Sequence, residues 1–500
     1  MHYLSTRDKS IAVPSAKAIS QGLSLEGGLF VPASMPAVSL DEIGALTSLS
    51  YNDRAVSILE KFLTDFSEVE LKQCVDLAYN RDKFETDNIA PVYKLNDTTY
   101  FLELWHGPTC AFKDMALQLL PQLLTRSIRK CGMETECVIL VATSGDTGKA
   151  ALEGFKDVAG TRIFVFYPER GVSEIQKLQM ITQEGNNVGV AAVKGNFDDA
   201  QTGVKKLFVD KDYAQLLAVN NFSLSSANSI NWGRLVPQIV YYFSAYADLL
   251  KSGEIELGDK LNFAVPTGNF GNILAGYYAG RMGLPVGRFI CASNENNVLT
   301  EFIQTGTYNR DRKFYTTISP SMDILVSSNL ERLLFDMSGG DAEAVRSYMT
   351  KLSDRGSYTV SEAMKRRIQE KFWAGFCDDA ATKQAIKQVD DEYSYVMDTH
   401  TAVAKNVYDQ YVSATGDTTK TVIASTASPF KFNQSVLIAL EGLNSVAGKN
   451  EFELLDALAQ RSGMRIPASL AELKNKPRLF GMSCEKEQMK SVVSEFLQVE

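Results

Sequence analysis

Short apolar runs alternate with helical patterns along most of the chain beyond residue 95. The run 137–142 (CVILVA) is uninterrupted, as expected of a strand buried on both faces. Further runs of this kind are 163–167, 188–193, 261–265, 289–292 and 421–425. A strand is also predicted at 99–104, and a helix at 114–130 that Pro121 must kink or divide. This alternation predicts an α/β fold with parallel-type sheets and helices on both faces.

The first 95 residues follow a different pattern. They mix a short β-like opening with helical stretches and contain a glycine-rich turn at 26–32. Pro91 biases the residue before it out of helix, so we place a boundary near 88–91. Because 500 residues exceed what one hydrophobic core usually holds, several domains are expected. From about Ser361 the pattern is mostly helical and charged, which fits either a cap on the fold or a contact with another subunit.

Four segments share one design, in which an apolar strand is followed by a small polar turn and the start of a helix. Ligands of parallel α/β sheets bind where strands end and helices begin, because helix N-termini offer unpaired N–H groups and a positive dipole end. The four segments are 105–114, 142–148, 266–272 and 423–429.

Two of these turns have the composition of anion sites. In 266–272 (PTGNFGN) two glycines allow backbone amides to face a phosphate, although an ordinary left-handed turn fits the pattern equally well. Its glycine spacing is not that of the dinucleotide fingerprint. In 142–148 (ATSGDTG) hydroxyls and amides are suited to a carboxylate or a cofactor oxygen, but helix capping by Thr143, Ser144 or Asp146 explains them as well.

The other two turns offer a lysine and a hydroxyl group. Lys113 lies at a helix entry among apolar and small residues, where burial lowers the pKa of an amine and makes it a better nucleophile and base. The alternative is a surface lysine beside a helix N-terminus. In 423–429 a hydroxyl is placed to bond a ring nitrogen or simply to cap the helix that Pro429 opens.

Charge and rare residues exclude several classes of function. The net charge of −9 makes nucleic acid an unexpected partner, while a small phosphorylated substrate remains compatible with a local positive pocket. Seven scattered cysteines and three histidines indicate neither a disulfide framework nor a metal centre. The polar opening of the chain and the lack of a long apolar run predict a cytoplasmic protein that does not span a membrane.

Taken in order, the motifs of this chain resemble those of the threonine synthase family, in its longer bacterial and fungal branch. They are YLSTRD at 3–8, GGLFVP at 27–32, HGPT at 106–109, AFKD at 111–114, TSGDTG at 143–148, GNFDD at 195–199, NSINW at 228–232, PTGNFGN at 266–272, DTHTA at 398–402 and STASP at 425–429. Two positions depart from the family pattern: Ser428 stands where many relatives have histidine, and Thr399 where they often have proline.

The resemblance implies the tryptophan synthase β-like fold of pyridoxal-phosphate enzymes (fold type II), with two parallel-type sheet domains and an N-terminal α+β domain. The implied units are an N-terminal domain at 1–95 and a catalytic region at 96–500, with 136–230 as a smaller mobile subdomain and 96–135 plus 231–500 as a larger one that includes the helical C-terminus.

The resemblance also assigns roles to single residues. Lys113 matches the lysine that carries pyridoxal 5'-phosphate as a Schiff base, and Thr426 the hydroxyl facing the pyridine nitrogen. Asp146 matches the residue facing the phenolic oxygen, where an aspartate must share a proton with that oxygen or turn away. The residues that match the loop binding the cofactor phosphate are Gly268, Asn269, Phe270, Gly271 and Asn272.

The implied reaction converts O-phospho-L-homoserine and water to L-threonine and phosphate, which requires a second anion site. The candidate contacts for this substrate are Ser144, Thr147, Lys149, Asn228 and Arg234, with Arg7 as a further candidate. Alternatives are another pyridoxal-phosphate lyase such as a serine or threonine dehydratase, a related binding protein without catalysis, and a nucleotide-binding protein. The oligomeric state and the roles of His106 and His400 are left open.

Overall fold

The computed structural model describes residues 1–143, 145–170 and 172–499. Its N-terminal part is α+β, and strand β1 lies between β2 and β3, antiparallel to both. The elements of this part are β1 (His2–Ser5), β2 (Ala12–Pro14), α1 (Ser15–Gln21), β3 (Phe30–Pro32), α2 (Leu40–Ala45), α3 (Tyr51–Leu59) and α4 (Glu68–Ala78).

The next part of the chain contributes strands to two sheets. Its elements are β4 (Val92–Lys94), β5 (Thr99–Glu103), α5 (Asp114–Leu117), α6 (Leu120–Lys130), β6 (Glu136–Ala142), α7 (Asp146–Phe155), β7 (Thr161–Pro168), α8 (Glu174–Ile181), β8 (Val188–Val193), α9 (Phe197–Val209), α10 (Lys211–Val219) and β9 (Phe222–Ser225). The division predicted at Pro121 is confirmed. This proline lies in the first turn of α6, where backbone N–H groups have no partner within the helix, so the N–H that proline lacks is not needed there.

The remaining elements complete the larger sheet and its helical surroundings. They are α11 (Trp232–Lys251), β10 (Leu261–Pro266), α12 (Gly271–Met282), β11 (Val286–Ser293), α13 (Val298–Thr305), β12 (Thr307–Asn309), α14 (Leu330–Met337), α15 (Ala342–Arg355), β13 (Ser357–Thr359), α16 (Glu362–Lys371), β14 (Phe372–Phe376), α17 (Asp379–Tyr393), α18 (Thr399–Thr415), β15 (Thr421–Ser425), α19 (Asn433–Glu441), α20 (Glu451–Ser462), α21 (Ala468–Ala471), β16 (Ser483–Cys484) and α22 (Met489–Leu497). Short 3-10 turns at Pro320–Met322 and Pro429–Phe432 are used below.

The larger sheet has the strand order β14-β11-β10-β15-β5-β4. Its neighbouring strands are parallel, except that β4 pairs antiparallel to β5. Strands β10, β15 and β5 are therefore adjacent and point the same way. The turns that follow them must emerge side by side at one edge of the sheet, and these turns are three of the four segments singled out in the sequence.

The smaller sheet has the order β16-β8-β7-β6-β9, with parallel neighbours. Strand β8 is buried along its whole length, as its uninterrupted apolar sequence predicts. The C-terminal part of the chain reaches this sheet: β16 pairs with β8, and Phe496 of α22 packs edge-on against Phe164 of β7, with ring centroids 5.2 Å apart. The unit predicted at 136–230 thus has partners outside that range. Its boundaries and mobility stay predictions.

The N-terminal part is anchored to the rest of the chain by aromatic and polar contacts. Trp232, at the start of α11, lies against Tyr3 and Phe62, with ring centroids 5.1 and 5.5 Å away. The buried guanidinium of Arg332 donates to the carbonyl of Phe30 in the glycine-rich turn at 3.0 Å. Within residues 1–143, 145–170 and 172–499, no helix is both long and apolar enough to cross a membrane.

Candidate active site

Two of the predicted turns pair through their backbones at the edge of the larger sheet. The N–H of Phe112 donates to the carbonyl of Thr426 at 2.8 Å, and the N–H of Ser428 donates to the carbonyl of Cys110 at 3.0 Å. These two bonds form an isolated antiparallel bridge between Ala111 and Ala427, just beyond the ends of the parallel strands β5 and β15. Lys113 and Thr426, which are far apart in sequence, are thereby held on adjacent turns.

Lys113 directly precedes α5, and its side chain is 12% exposed. Its Nζ donates to Ser321 Oγ at 3.2 Å and lies 3.8 Å from Asp146 Oδ2. Burial lowers the pKa of Lys113 to about 8; Asp146 opposes this shift, and the charges of Lys431 and Arg234 add to it. With such a pKa roughly a tenth of the amine is neutral at pH 7, far more than for an ordinary lysine. The amine is therefore suited to act as a nucleophile or a base.

Asp146 comes from the smaller sheet, at the start of α7, and is buried against these lysines. Its Oδ1 accepts from Lys431 Nζ at 2.7 Å and from Gln176 Nε2 at 2.9 Å, while its Oδ2 accepts from Ser321 Oγ at 3.2 Å. Burial alone raises the pKa of this carboxyl, but Lys431 and Lys113 outweigh that effect and hold the pKa well below its usual range. Asp146 is therefore an ionised acceptor that joins the two sheets at the site.

The turn at 268–272 is held in an unusual conformation between β10 and α12. Phe270 has φ of 62°, a left-handed value that is rare for a bulky residue and frequent at functional sites. Ser327 Oγ donates to the carbonyl of Gly268 at 2.8 Å. The backbone N–H and the side-chain amide of Asn329 both donate to the carbonyl of Asn269 at 3.1 Å. The loop before α14, which contains Ser327 and Asn329, thus holds the backbone of the 268–272 turn in place.

The helix start that follows this turn fits an anionic group. Asn272 Oδ1 accepts from the hydroxyls of Tyr241 and Tyr242 at 2.6 and 2.7 Å, which leaves Nδ2 as a donor. Among the described residues this buried Nδ2 has no partner, and no side chain caps α12. Free amide donors at a helix N-terminus are what a phosphate requires.

Arg234, in the first turn of α11, is a second candidate for binding an anion. The residue is 3% exposed, and its Nη1 donates to the carbonyl of Ala227. Its buried Nε has no hydrogen-bond partner within the part of the chain that the structure describes, and no carboxylate there forms an ion pair with it. Burial lowers the pKa of Arg234 to about 10. Since an uncompensated buried charge is costly, a bound anion would stabilise this arrangement.

The other predicted substrate contacts are placed less directly. Lys149 Nζ is bonded to Glu153 at 2.9 Å and to Gln183. Thr147 is partly buried in the first turn of α7, and Asn228 is exposed in the segment before α11. Ser144 lies outside the described residues. The substrate roles of these residues stay predictions.

Arg7, the further candidate from the opening motif, is paired with a carboxylate of the protein, and its substrate role stays a prediction. Its guanidinium binds Glu331 through two parallel contacts, Nε to Oε1 at 2.8 Å and Nη2 to Oε2 at 2.7 Å. Burial opposes the charged form, but Glu331 more than compensates and raises the pKa of Arg7. This pair joins the N-terminal sheet to α14.

Comparison with known proteins shows the family to which this chain belongs. A model of the threonine synthase N terminus matches residues 2–79. The threonine synthase of Methylobacillus glycogenes is 37% identical over 479 residues, which are 91% of this chain and 97% of that protein. The chain belongs to the threonine synthase family. Threonine synthase-like 1 of Homo sapiens is 42% identical over 436 residues, but these cover 85% of this chain and only 58% of that protein.

Solved structures of threonine synthases agree with the fold. The crystal structure of PLP-bound threonine synthase from Brucella melitensis superposes with a TM-score of 0.88 at 35% identity, covering 100% of this chain and 99% of that one. The yeast threonine synthase has a TM-score of 0.88 at 31% identity and covers 99% of both chains. The predicted α/β class, with the fold of type II pyridoxal-phosphate enzymes, is confirmed.

The positions where this chain departs from the threonine synthase pattern retain structural roles. Ser428 Oγ accepts from the N–H of Phe430 and begins the 3-10 turn that carries Lys431. Thr399 is fully buried at the start of α18, and Asp398 caps that helix.

Sequence patterns did not identify two polar residues of this site, Ser321 and Lys431. Ser321 lies in the 3-10 turn Pro320–Met322, and neither a strand nor a periodic helix marks that segment in the sequence. Lys431 follows Pro429 by two residues. The only signal for it in the sequence was a lysine close to the helix start in the segment 423–429. Both residues contact Asp146, which is the acceptor common to the whole site.

The histidines left open by the sequence have defined contacts. His400 Nε2 accepts from the N–H of Ser321 at 3.1 Å, and its Nδ1 lies 3.0 Å from Asp398 Oδ1. His106 stacks on Trp105, with ring centroids 4.1 Å apart, and its Nε2 lies 2.8 Å from Glu103 Oε2. His400 therefore supports the active site through Ser321, while His106 belongs to the turn that leads to Lys113.

Proposed function

We propose that this chain acts as a threonine synthase, which holds pyridoxal 5'-phosphate through Lys113 and converts O-phospho-L-homoserine and water to L-threonine and phosphate. The observation that carries the proposal is the position of the Lys113 amine. It is buried, its pKa is lowered, and it lies at the edge of three adjacent parallel strands, beside the turns that contain residues 268–272 and Thr426. Membership of the family supplies the chemical class of the reaction.

The residues present fit the proposed cofactor. The amides of 268–272 and Asn272 Nδ2 would hold its phosphate, and Lys113 would carry its aldehyde carbon. Thr426, 5% exposed beside Lys113, would offer a neutral hydroxyl to its ring nitrogen. When bound, this cofactor supplies an electron sink that stabilises negative charge at the substrate Cα. Asp146, ionised by its pair with Lys431, would accept a hydrogen bond through a proton shared with the phenolic oxygen of the cofactor.

The side chains of the site suit a substrate that carries both an amino acid and a phosphate. Lys113 Nζ, as a neutral amine, would accept the proton from Cα and return it later. Arg234 is the proposed contact for the phosphate that leaves Cγ, because its buried guanidinium lacks an anionic partner among the described residues. Thr147, Lys149, Asn228 and Ser144 are proposed as further contacts. Water enters at Cβ, so closure around the site must admit one water and exclude the rest.

The chain spans 58% of the length of the human relative named threonine synthase-like 1, so the activity rests on the site and not on that name. A dehydratase would release ammonia and a keto acid from its substrate, whereas the proposed reaction releases phosphate and yields threonine. The cytoplasmic location and the absence of nucleic-acid binding stay predictions.

The proposed function is tested by measuring phosphate and threonine together. Purified protein with pyridoxal phosphate is given O-phospho-L-homoserine, and both products are quantified for wild type, Lys113→Ala and Lys83→Ala. Lys83 is a suitable control because burial also lowers its pKa, although it forms no ion pair or side-chain hydrogen bond with Lys113 in the described part of the chain. Equal amounts of threonine and phosphate from wild type and Lys83→Ala, with almost none from Lys113→Ala, are expected. Cofactor bound through Lys113 without threonine formation would overturn the proposal.

A further inference from the structure

Lys431 is a fully buried lysine to which the proposed reaction assigns no contact with substrate or cofactor. The exposure of its side chain is 0%. Its Nζ lies 2.7 Å from Asp146 Oδ1 and donates to the carbonyl of Thr109 at 2.9 Å. A buried ammonium ion persists only when it is closely paired. The carboxylate that pairs with it is the same one that faces Lys113.

Two lysines therefore share one carboxylate, and they share it unequally. Lys431 has an ionic contact of 2.7 Å and a carbonyl acceptor, whereas Lys113 lies 3.8 Å from Asp146 Oδ2 and is bonded to the hydroxyl of Ser321. With both amines protonated, the buried group would carry an excess positive charge. The proton that costs least to remove is the one on the more weakly paired amine, which is Lys113.

We propose that Lys431 is a positioning residue that saturates Asp146 and so leaves Lys113 available as an uncharged amine. This role rests on the proposed function, which uses that amine. The charged groups acting on Lys113 are Asp146, Asp114, Lys431 and Arg234, and His400 reaches it through Ser321. Without Lys431, the charges of Asp146 and Asp114 would act on Lys113 with only Arg234 opposing them, and they would favour its protonated form.

The test measures the protonation of Lys113 directly in the full chain, after hydroxylamine has removed any bound cofactor. The rate of reductive methylation of Lys113 is followed by peptide mass spectrometry from neutral to alkaline pH, since only the neutral amine reacts. In Lys431→Met the midpoint of this profile is expected to rise by about one pH unit or more. In Asp146→Asn it is expected to fall, and in the double variant to return close to the wild-type value.

The control is Lys405→Met, which removes another buried lysine paired with an aspartate. Lys405 is 8% exposed, and its Nζ lies 2.6 Å from Asp409 in α18. Its loss should leave the Lys113 profile unchanged. A purely structural role for Lys431 would not shift the two single variants in opposite directions. The proposal is overturned if Lys431→Met leaves the profile unchanged, or if both single variants shift it the same way.

Two features keep the test decisive. If Lys431→Met fails to fold, the double variant removes both buried charges at once, and Asp146→Asn alone must then lower the midpoint while the double variant restores it. The proposed function is tested in a separate assay, which measures threonine formation. If the methylation profiles shift as expected but no threonine forms, the proposed function is refuted and the role of Lys431 is retained. If threonine forms but the Lys431→Met profile is unchanged, the function is retained and the role of Lys431 is refuted.

Discussion

The ring of His400 accepts a hydrogen bond from the backbone N–H of Ser321 at 3.1 Å. Because Nε2 is the acceptor, the ring proton lies on Nδ1 and faces Asp398. Ser321 in turn places its hydroxyl between Lys113 and Asp146. His400, which reaches Lys113 only through Ser321, is thus expected to control the position of the Lys113 amine.

Replacing His400 by alanine should loosen the Ser321 turn. The lost hydrogen bonds and the cavity are expected to lower the free energy of unfolding by about 1–3 kcal/mol. Threonine formation is expected to fall by about tenfold, since misplacement of a catalytic group is costly. Denaturant titration and product assays check these effects. Full activity in a variant that is destabilised to this extent would contradict the link through Ser321.

His106 predicts a dependence of stability on pH. Burial opposes its charged form, but Glu103 and Glu85 outweigh burial and raise its pKa from 6.5 to about 9. Because the folded-state pKa is the higher one, the stabilisation is fully present below pH 6.5 and is lost as the pH rises to about 9. Its size is about 1–3 kcal/mol.

The measurement is the free energy of unfolding across that pH window for wild type, His106→Gln and His2→Gln. The His106 variant should be less stable at the acidic end and show a flatter slope. His2 is exposed near the start of β1 and should behave as wild type. An unchanged slope in His106→Gln would show that the pair with Glu103 does not carry the effect.

Gly268→Ala should impair cofactor binding through a steric contact. A Cβ at Gly268 would lie 2.8 Å from the carbonyl oxygen of Ser321 and 3.3 Å from Met322 Cα, so the turn or the Pro320–Met322 segment must shift. We expect affinity for pyridoxal phosphate to fall by about tenfold or more, a loss of about 1.4 kcal/mol. Gly481→Ala is the control, because a Cβ there meets nothing within 4 Å. Absorbance titration with the cofactor measures both, and equal affinities would refute the expectation.

Arg234→Met should separate stability from substrate binding. Removing an uncompensated buried charge is expected to leave the free energy of unfolding unchanged or raise it by up to about 2 kcal/mol. The kcat/KM for O-phospho-L-homoserine should nevertheless fall at least about tenfold if the guanidinium binds a substrate phosphate.

The contrasting variant is Arg7→Met, which breaks the bidentate pair with Glu331. It leaves a buried carboxylate without its partner and should lower the free energy of unfolding by about 2–4 kcal/mol. If Arg234→Met lowers cofactor affinity and leaves KM for the substrate unaltered, Arg234 belongs to the cofactor site.

The strands and the turns after them were predictable because their signals are local. Uninterrupted apolar runs identify β6 and β8. Pro121 separates α5 from α6 because its ring is not tolerated inside a continuous helix. Lys113 was found because it lies at such a turn. Ser321 and Lys431 were not found, because their roles depend on distant partners. The 3-10 turn that contains Ser321 is fixed by His400, which lies in α18. The role of Lys431 depends on its contact with Asp146, which belongs to the smaller sheet domain and is distant in sequence.

The pairing of β16 with β8 has a consequence for how the protein is made. Strands β6 to β9 leave the ribosome long before Ser483–Cys484 and α22 are translated. Until then β8 presents an open edge, and the apolar face around Phe164 lacks the cover that Phe496 provides. Unpaired edges and uncovered apolar faces are the features that promote aggregation of nascent chains. The smaller sheet therefore stays incomplete until β16 and α22 have been translated, and during that interval the open edge of β8 is exposed to association with other chains.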